Sequence, residues 1–395
     1  MRPIKMIQTA KRLSGIGEYY FSQKLREIDA LNAGGADVIN LGIGSPDGAP
    51  HASVIAALQD AAARPDVHAY QSYKGAAALR GALAAWYGRC YGVPLDPATE
   101  ILPLIGSKEG ILHLCMTYLD PGDEALVPNP GYPTYRSAVT LAGARAVDYP
   151  LRAENGWEPD FEALEASDLS RVKLMWVNYP HMPTGTLPSR GLFEKLIAFG
   201  RKHHILICHD NPYSFILNDH PQSILAVPGA REVAVELNSL SKSHNMAGWR
   251  IGVLCGAKER IDDVLRFKSN MDSGMLLPVQ LAAVAALDLD SSWQESLNAT
   301  YRARRALVYA ILDALGCTYD PAQAGLFVWA AVPDRWADGF ALSDALLQEA
   351  RVFLTPGGIF GTEGQGYIRV SLCASEARLR AAADRVHSFI QKQPA

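Results

Sequence analysis

Short, almost continuous apolar runs recur between residues 101 and 255 and limit the chain to few fold classes. Several are separated by stretches whose apolar residues fall at helical spacing. Strands that are apolar on both faces and linked by helical crossovers are typical of a mostly parallel sheet covered by helices on both sides. The predicted strands are 101–105, 124–127, 172–177, 205–208, 233–237 and 251–255, and the predicted helices include 76–91, 135–142 and 192–203.

Polar residues follow four of these runs. Because ligands of such sheets bind beyond the carboxyl ends of the strands, we expect these residues to meet at one edge. Ser107 and Lys108 lie in a Gly-Ser turn that opens a helix and would present free N–H groups to an anion such as phosphate. An ordinary serine N-cap is the alternative. The other polar residues at strand ends are Asn178, Asp210, Tyr213, Ser239, Ser241 and Lys242.

Lys242 lies in the segment NSLSKSHNMAGWRIG, residues 238–252, among small and hydroxyl-bearing side chains. Exposed lysines usually lie on polar helix faces, whereas this lysine lies in a loop of low charge between two apolar runs. The setting suits a lysine that takes part in chemistry, and Arg250 follows in the same segment. A solvated turn lysine is the alternative, because single motifs match by chance.

The length of 395 residues predicts two domains, or a large domain with a smaller one appended. From about residue 278 the sequence changes to helices rich in alanine and leucine and to short strands, which predicts a smaller α+β domain. Arg369 lies in one of these apolar strands and needs an anionic partner. We predict an N-terminal arm and part of the small domain in residues 1–45, a large domain in 46–280 and a small domain in 281–395.

Charge and cysteine content exclude several classes of function. The net charge of -4, without a long run of one sign, argues against binding to nucleic acid or to an anionic membrane. The six cysteines are scattered without a CxxC pair, so neither a metal site nor a disulfide framework is expected. No segment reaches the roughly 18 apolar residues of a membrane span, and the first residues lack the apolar core of a signal peptide. A cytoplasmic location is therefore expected.

Pyridoxal 5'-phosphate (PLP) is a cofactor that this set of groups could hold: a lysine, an aspartate, an arginine, hydroxyl groups and a helix start. A lysine forms a Schiff base with the aldehyde of the cofactor and then acts as acid and base beside Cα. A buried aspartate keeps the ring nitrogen protonated, while serines, N–H groups and a guanidinium match the phosphate. A nicotinamide dehydrogenase is a rival, but the GIG at 42–44 lacks the third glycine of the dinucleotide fingerprint.

Three motifs occur in the order found in a known family: PTG at 183–185, D-x-x-Y at 210–213, and S-x-S-K followed by GWRIG at 239–252. The sequence resembles the fold type I PLP enzymes, in particular the class I aminotransferases of the aspartate aminotransferase superfamily, in the branch with alanine and LL-diaminopimelate aminotransferases. The resemblance implies an α/β fold, the PLP-dependent transferase fold of type I, with a mostly parallel sheet in a large domain and a smaller α+β domain.

The resemblance also implies roles for individual residues. Lys242 would form the Schiff base, Asp210 would pair with the pyridine nitrogen, and Tyr213 would bind the ring 3-hydroxyl. Arg369 would bind the substrate α-carboxylate near the backbone of Gly44. The remaining residues implied in cofactor binding are Ser107, Lys108, Tyr132, Asn178, Ser239, Ser241, Arg250 and, from the neighbouring subunit, Tyr70. A homodimer with shared active sites is therefore expected.

One position departs from the family pattern. Met182 stands immediately before Pro-Thr-Gly, where the family usually has an asparagine that donates a hydrogen bond to the ring 3-oxygen. Since methionine cannot donate, we predict that Tyr213 binds this oxygen alone and that the enzyme works best at higher pH. The alternative is that His181 supplies the missing donor.

Three parts of the sequence bear on substrate choice and on contacts with a partner subunit. Lys108 resembles a lysine that relatives use for a distal substrate carboxylate, with a solvated lysine as the alternative. The stretch 267–278, which in relatives reaches the partner's site, has no arginine, and we expect Ser273 or Asn270 to contact the partner's phosphate. The aromatic residues of the N-terminal arm, which are Tyr19, Tyr20 and Phe21, lead into a predicted helix at 23–31 and are expected to pack on a partner subunit.

The predicted function is transfer of the amino group of an L-amino acid to a 2-oxo acid, either 2-oxoglutarate or pyruvate, by a ping-pong route. A PLP-dependent C–S β-lyase is the first alternative, since it uses the same lysine, aspartate and arginines. A PLP-binding protein without activity is a weaker alternative, because only Met182 departs from the pattern.

Overall fold

The structure is a computed structural model that describes residues 7–18 and 20–392. The strands in these residues are Ile39–Asn40 (β1), Ile101–Leu104 (β2), Glu124–Asn129 (β3), Arg145–Pro150 (β4), Val172–Val177 (β5), Leu206–Asp210 (β6), Ala234–Ser239 (β7), Gly252–Gly256 (β8), Thr318–Tyr319 (β9), Phe327–Ala331 (β10), Val352–Phe353 (β11), Thr355–Pro356 (β12) and Tyr367–Ser371 (β13). The α-helices are Tyr20–Ala33 (α1), Ala52–Ala62 (α2), Ala77–Tyr91 (α3), Ser107–Tyr118 (α4), Pro133–Leu141 (α5), Phe161–Glu165 (α6), Leu192–His203 (α7), Ala230–Val233 (α8), Leu240–Ser243 (α9), Lys258–Lys268 (α10), Leu277–Leu287 (α11), Ser291–Leu315 (α12), Gly339–Ala345 (α13) and Glu376–Ile390 (α14).

The central sheet has seven strands in the order β2-β8-β7-β6-β5-β3-β4. Strand β8 runs antiparallel to both of its neighbours, and the remaining pairs are parallel. The prediction of a mostly parallel sheet is confirmed. Strands β6 and β7 each end two residues later than predicted, so that Asp210 is the last residue of β6 and Ser239 the last residue of β7.

Burial explains the continuous apolar runs. Along β5, successive side chains enter opposite cores: Leu174 and Trp176 pack on one side of the sheet, whereas Met175 and Val177 pack on the other. The first core includes residues of α4, α5 and α10, and the second includes residues of α3, α7 and α11. Since both faces are covered, neither face of the strand needs polar residues.

A smaller α+β unit is built mainly from the C-terminal part of the chain. Its four-stranded sheet has the order β12-β13-β10-β9, and all three pairs are antiparallel. Strand β1 pairs in parallel with β11, so a segment near residue 40 joins this unit. This pairing agrees with the predicted assignment of part of residues 1–45 to the small domain, although the three boundaries themselves remain predictions.

Helix α1 corrects one expectation about the N-terminal arm. The side chain of Phe21 is only 8% exposed and packs in the core of the small unit of its own chain. Tyr20 packs edge-on against Phe340 of that same unit. The prediction that these aromatics pack on a partner subunit is therefore wrong for Phe21. It stays a prediction for Tyr20, which is half-buried in its own chain, and Tyr19 lies outside the described residues. Among the helices in the described ranges, none has the length and apolar character needed to cross a membrane.

Candidate active site

A cavity of about 460 Å³ opens at the carboxyl edge of the central sheet, against the small unit. We call it the Lys242 cavity. The predicted site residues that line it are Gly44, Ser107, Lys108, Tyr132, Asn178, Asp210, Tyr213, Ser239, Ser241, Lys242, Arg250 and Arg369. Tyr70 does not line it, since its side chain is 91% exposed on the surface of the chain. The roles predicted for these residues are distinct from their placement and remain predictions.

The reversed strand β8 explains why Arg250 reaches this cavity. In the sheet, Gly252 is paired with Leu104 of β2 and with Ser239 of β7. The amino end of β8 therefore lies beside the carboxyl ends of its two neighbours. This arrangement places Arg250, which precedes β8, close to the start of α4 and to the end of β7. If β8 were parallel to its neighbours, Arg250 would lie at the opposite edge of the sheet.

Asp210 lies at the base of the cavity and is 4% exposed. Its Oδ2 accepts a hydrogen bond from the hydroxyl of Tyr135 at 2.8 Å, while its Oδ1 has no hydrogen-bond partner among the described residues. Burial raises the pKa of this carboxyl to about 6, although the Tyr135 hydroxyl favours the ionised form. A buried acceptor without a partner is costly, so this oxygen suits a ligand that brings a charged N–H group.

Lys242 projects into the same cavity from the short helix α9. Ser239 caps this helix by accepting a hydrogen bond from the Ser241 N–H group at 3.0 Å. The Nζ of Lys242 donates to the carbonyl of Gly44 at 2.7 Å. Burial lowers the pKa of the lysine, and the nearby guanidinium groups of Arg369 and Arg250 act in the same direction. The amine therefore loses its proton more readily than an exposed lysine, as a nucleophile or a base requires.

An anion cradle lies at the start of α4. Ser107 is the first residue of this helix, and the guanidinium of Arg250 packs against the neighbouring Gly106, whose φ is 82°. This place is suited to a phosphate. Its oxygens could accept hydrogen bonds from the free N–H groups of the helix start, from the guanidinium and from the serine hydroxyls at the end of β7. The N-cap is Gly106 and Ser107 is the first helical residue, so the alternative of a serine N-cap is wrong. The anion site itself stays a prediction.

Gly106 allows a stability prediction at this cradle. Gly106→Ala is expected to lower the free energy of unfolding by about 1–3 kcal/mol, because the residue has positive φ and a Cβ would overlap the Arg250 guanidinium. Urea denaturation measures the change. Gly81→Ala is the matched control: it lies in α3 with nothing near its Cβ and is expected to stabilise by roughly 0.5–1 kcal/mol. Equal effects of the two changes would contradict the prediction.

Arg369 enters the cavity from β13 of the small unit and is 4% exposed. Its guanidinium carbon lies 3.7 Å from the ring centroid of Phe327 and 4.7 Å from that of Phe360. One terminal nitrogen donates to the carbonyl of Gly42 at 2.8 Å and the other to the Sδ of Met182 at 3.2 Å. Aromatic faces and fixed hydrogen bonds hold the cation in place, as needed for a carboxylate ligand.

Asn178 and His181 lie near Met182, in the loop where the family usually has an asparagine that donates to the cofactor. The amide of Asn178 is used within the protein, since it donates to the carbonyl of Asp210 at 2.5 Å and accepts from the Met182 N–H group at 2.7 Å. His181 does not line the cavity and pairs with the hydroxyl of Thr184 at 2.8 Å. Burial lowers the pKa of His181 to about 3. The structure thus gives no support to the alternative in which His181 donates to the cofactor.

Several cavity residues were not found from the sequence. Tyr135 binds Asp210, and its position at the start of a helix gave no sign of this contact. The rings of Phe327 and Phe360 enclose Arg369. Phe21 of α1 also lines the cavity. The only sequence signal for this site was an arginine within an apolar strand. That signal did not indicate which residues would contact the arginine.

A cluster of Glu109, His113 and Asp272 has the spacing of a metal site. However, the ammonium group of the buried Lys268 pairs with Asp272 and lies 3.5 Å from the Oε1 of Glu109. Because a cation of the protein already lies among the carboxylates, the cluster is explained as an internal charge network.

The residues present fit PLP. The Oδ1 of Asp210 suits a protonated ring nitrogen, Lys242 offers a buried amine, and the start of α4 with Arg250 suits the phosphate. Tyr132 lies beside this space, edge-on to Tyr135 with ring centroids 5.6 Å apart. Burial raises the pKa of Tyr213, so its hydroxyl keeps its proton and can donate to an oxygen of the cofactor.

Comparison with known proteins identifies the family. Residues 36–386 match the model of the aminotransferase class I and II family. Among curated relatives, the LL-diaminopimelate aminotransferases of Dehalococcoides mccartyi and Desulforudis audaxviator are 41% and 43% identical, covering 97% and 96% of this chain and 99% and 97% of their own. Substrate-bound BacF of Bacillus subtilis superposes with a TM-score of 0.92 at 36% identity, covering 97% of this chain and 98% of its own. A Thermus thermophilus aspartate aminotransferase mutant superposes with 0.90 at 28%, covering 97% and 100%. The chain therefore belongs to the class I and II aminotransferases, which are PLP-dependent enzymes.

Proposed function

We propose that Lys242, Asp210 and Arg369 are the residues with which this aminotransferase moves an amino group from an L-amino acid to a 2-oxo acid. The observation that carries the proposal is their arrangement in one cavity, where a buried amine with a lowered pKa lies near a buried carboxylate and an enclosed guanidinium. When bound, PLP supplies an electron-withdrawing ring that stabilises negative charge at the amino acid Cα.

Each residue then has a defined task. The guanidinium of Arg369 binds the α-carboxylate and so orients the amino acid in the cavity. The Nζ of Lys242 accepts the Cα proton and returns it, which requires the neutral amine favoured by burial. The Oδ1 of Asp210 keeps the ring nitrogen protonated, with Tyr135 fixing the orientation of the carboxylate. Gly44 is suited to its place because a Cβ would overlap the Phe327 ring and its carbonyl holds Lys242.

The relatives suggest a first set of substrates. By their names, the curated relatives act on LL-diaminopimelate, which makes this amino acid one donor to test, with 2-oxoglutarate or pyruvate as acceptors. Lys108 is exposed at the edge of the cavity and is suited to the distal carboxylate of 2-oxoglutarate. Its N–H group at the start of α4 is in addition suited to the phosphate.

We further propose a cytoplasmic homodimer. Large apolar side chains are exposed in two adjoining loops: Tyr70 and Tyr73 are 91% and 45% exposed, and Met271 and Leu276 are 55% and 51% exposed. The loops meet where Gly274 packs against the backbone of Ser72. Exposed apolar patches of this kind mark protein contacts, and a second copy would cover them and bring its Tyr70 toward the cavity. Light scattering should give twice the mass of the chain. All six cysteines are free thiols, as is common in reducing compartments.

A half-reaction screen tests the proposed function. The purified holoenzyme is mixed with single L-amino acids without any 2-oxo acid, and the absorption of bound PLP is followed as it changes to that of the pyridoxamine form. Conversion by at least one donor, reversed by a 2-oxo acid, is the expected result. Release of ammonia and pyruvate from S-substituted cysteines without an acceptor would instead support the β-lyase. Absence of any reaction would contradict both.

Arg369→Lys is expected to raise KM for the amino donor by about 10- to 100-fold with a smaller change in kcat, because hydrogen bonds to charged groups contribute about 1.5–3 kcal/mol. The lysine keeps the charge but loses the planar pair of donors. Steady-state kinetics with varied donor concentration measure the effect. Arg378→Lys, which replaces a surface arginine bound to Asp37, is the control and should leave KM unchanged. A KM within about twofold of the wild type would argue against Arg369 as the carboxylate ligand.

Met182→Asn is expected to lower, by about one pH unit, the pH at which the absorption of the bound cofactor changes, since a new amide donor would favour the ionised 3-oxygen. The same change removes the contact of the Met182 Sδ with Arg369 and should raise the donor KM. Spectroscopic pH titration of both proteins measures the shift, and Met182→Leu separates loss of sulfur from gain of a donor. Identical titration curves for all three proteins would refute the hypothesis that Tyr213 binds this oxygen alone.

A further inference from the structure

One part of the Lys242 cavity, next to Arg369, has a mainly apolar lining. It is the space beneath the first turns of α1, and we call its lining the α1 wall. The residues of the α1 wall are Phe21, Ser22, Leu25, Ile43 and Phe360. Four of the five are apolar, and the hydroxyl of Ser22 is the only polar side-chain group among them. Arg369 lies within this surface, with Phe21 and Phe360 on its guanidinium.

The charged side chains around the cavity are mostly cationic. Among the described residues that line it, Asp210 is the only acid, and it lies at the base where the ring nitrogen is expected. The cations are Lys108, Lys242, Arg250 and Arg369. A substrate whose distal end carries only an ammonium group would therefore find cations and apolar surface there. Moving an ammonium group into such a place without an acidic partner is strongly unfavourable.

Two exposed loops that a homodimer would bring to the cavity offer no acid without a partner among the described residues. The exposed loop at residues 68–75, which a homodimer would bring to the cavity, reads HAYQSYKG and adds a lysine but no acid. In the adjoining stretch, Asp272 already pairs with the buried Lys268 and accepts a hydrogen bond from the Gly274 N–H group. Both loops instead offer apolar side chains, namely Tyr70, Tyr73, Met271 and Leu276.

We propose that the preferred amino donor of this enzyme has an uncharged apolar side chain, aromatic or branched, and that amino acids whose distal end carries only an ammonium group, such as L-lysine, are poor donors. The inference rests on the proposed aminotransferase function and narrows its substrate class. The α1 wall gains apolar contact with such a side chain, whereas a distal ammonium group loses its hydration without a counter-charge.

The first test compares donors in the half-reaction of the holoenzyme. L-Phenylalanine and L-leucine are expected to convert the cofactor with second-order rate constants at least about 100-fold above those of L-lysine and L-ornithine. If L-lysine reacts as fast as the apolar donors, the inference is wrong while the proposed function stands. If no amino acid reacts, the proposed function itself fails.

A binding measurement gives a readout that does not depend on turnover. Calorimetric titration of the holoenzyme with carboxylates that lack an α-amino group compares 3-phenylpropanoate and 4-methylpentanoate with 6-aminohexanoate. The apolar acids are expected to bind at least about 10-fold more tightly, because their α-carboxylates can use Arg369 and their chains the α1 wall. Equal or tighter binding of 6-aminohexanoate would overturn the inference.

A charge-insertion pair then tests the α1 wall itself. Leu25→Glu places a carboxylate on the cavity side of α1, and Ala30→Glu places the same group at an exposed position of that helix outside the cavity. Leu25→Glu is expected to strengthen 6-aminohexanoate binding by about 10-fold and to weaken 3-phenylpropanoate binding, whereas Ala30→Glu should change neither. Equal effects of the two variants would show that the α1 wall does not contact the substrate side chain.

Discussion

Lys242→Ala is expected to lower kcat/KM for transamination by at least about 10⁴-fold, since a positioned acid-base group contributes about 10²–10⁴-fold and this residue is also the predicted attachment point of the cofactor. The loss should fall on kcat, because Arg369 and the α1 wall still bind the amino acid. Steady-state and single-turnover kinetics of the purified variant measure it. A variant that retains even about a tenth of the wild-type rate would remove Lys242 from the proton-transfer role.

Two controls make this result specific. Lys258→Ala removes an exposed lysine that pairs with Asp262 at the start of α10, and its activity should equal that of the wild type. Borohydride reduction of the wild-type holoenzyme should add the mass of the cofactor to the peptide that contains Lys242 and not to that peptide in the variant. A mass increase on another lysine peptide would contradict the assignment whatever the rate of the variant.

Asp210→Asn is expected to reduce kcat/KM by about 10³-fold, because removing one partner of a buried charge pair costs about 3–5 kcal/mol. The carboxamide has nearly the same shape, but it cannot keep the ring nitrogen protonated. The bound cofactor should also absorb at a different wavelength, which is a readout independent of turnover. An unchanged spectrum together with an unchanged rate would show that Asp210 does not contact the ring.

The chain offers a matched control for this change. Asp263 accepts a hydrogen bond from the hydroxyl of Tyr118 at 3.2 Å, much as Asp210 accepts one from Tyr135, but it does not line the cavity. Asp263→Asn is therefore expected to leave rate and spectrum unchanged. A loss of activity comparable to that of Asp210→Asn would point to a general effect of losing an Asp–Tyr pair.

Much of the fold and of the site was accessible from the sequence. The apolar runs predicted the strands of a mostly parallel sheet, because a strand covered on both faces cannot carry polar residues in its middle. The polar residues at strand ends then had to meet at one edge, and Asp210, Ser239 and Ser107 do lie around one cavity. These predictions depend only on local patterns and on the geometry common to parallel sheets.

Other contacts could not be found in this way. The hydroxyl of Tyr135 reaches Asp210 because the Tyr135 ring stacks on Trp176 of β5, the strand next to β6. Nothing in the local sequence of a helix start reports this packing. The thioether of Met182 contacts Arg369 across a large separation in sequence. The sequence identified Met182 as a departure from the family pattern, but the partner of its side chain depends on how the small unit packs on the sheet.

The sequence by itself determined the class of the fold, the edge at which the site lies, and the set of charged and hydroxyl groups available for chemistry. Tertiary structure alone decided the direction of β8, which brings Arg250 beside Ser107, and the position of α1, which places Phe21 and Leu25 over the cavity. The physical reason is that strand patterns and end residues are local properties, whereas strand direction and helix docking follow from burying apolar surface between segments far apart in the chain.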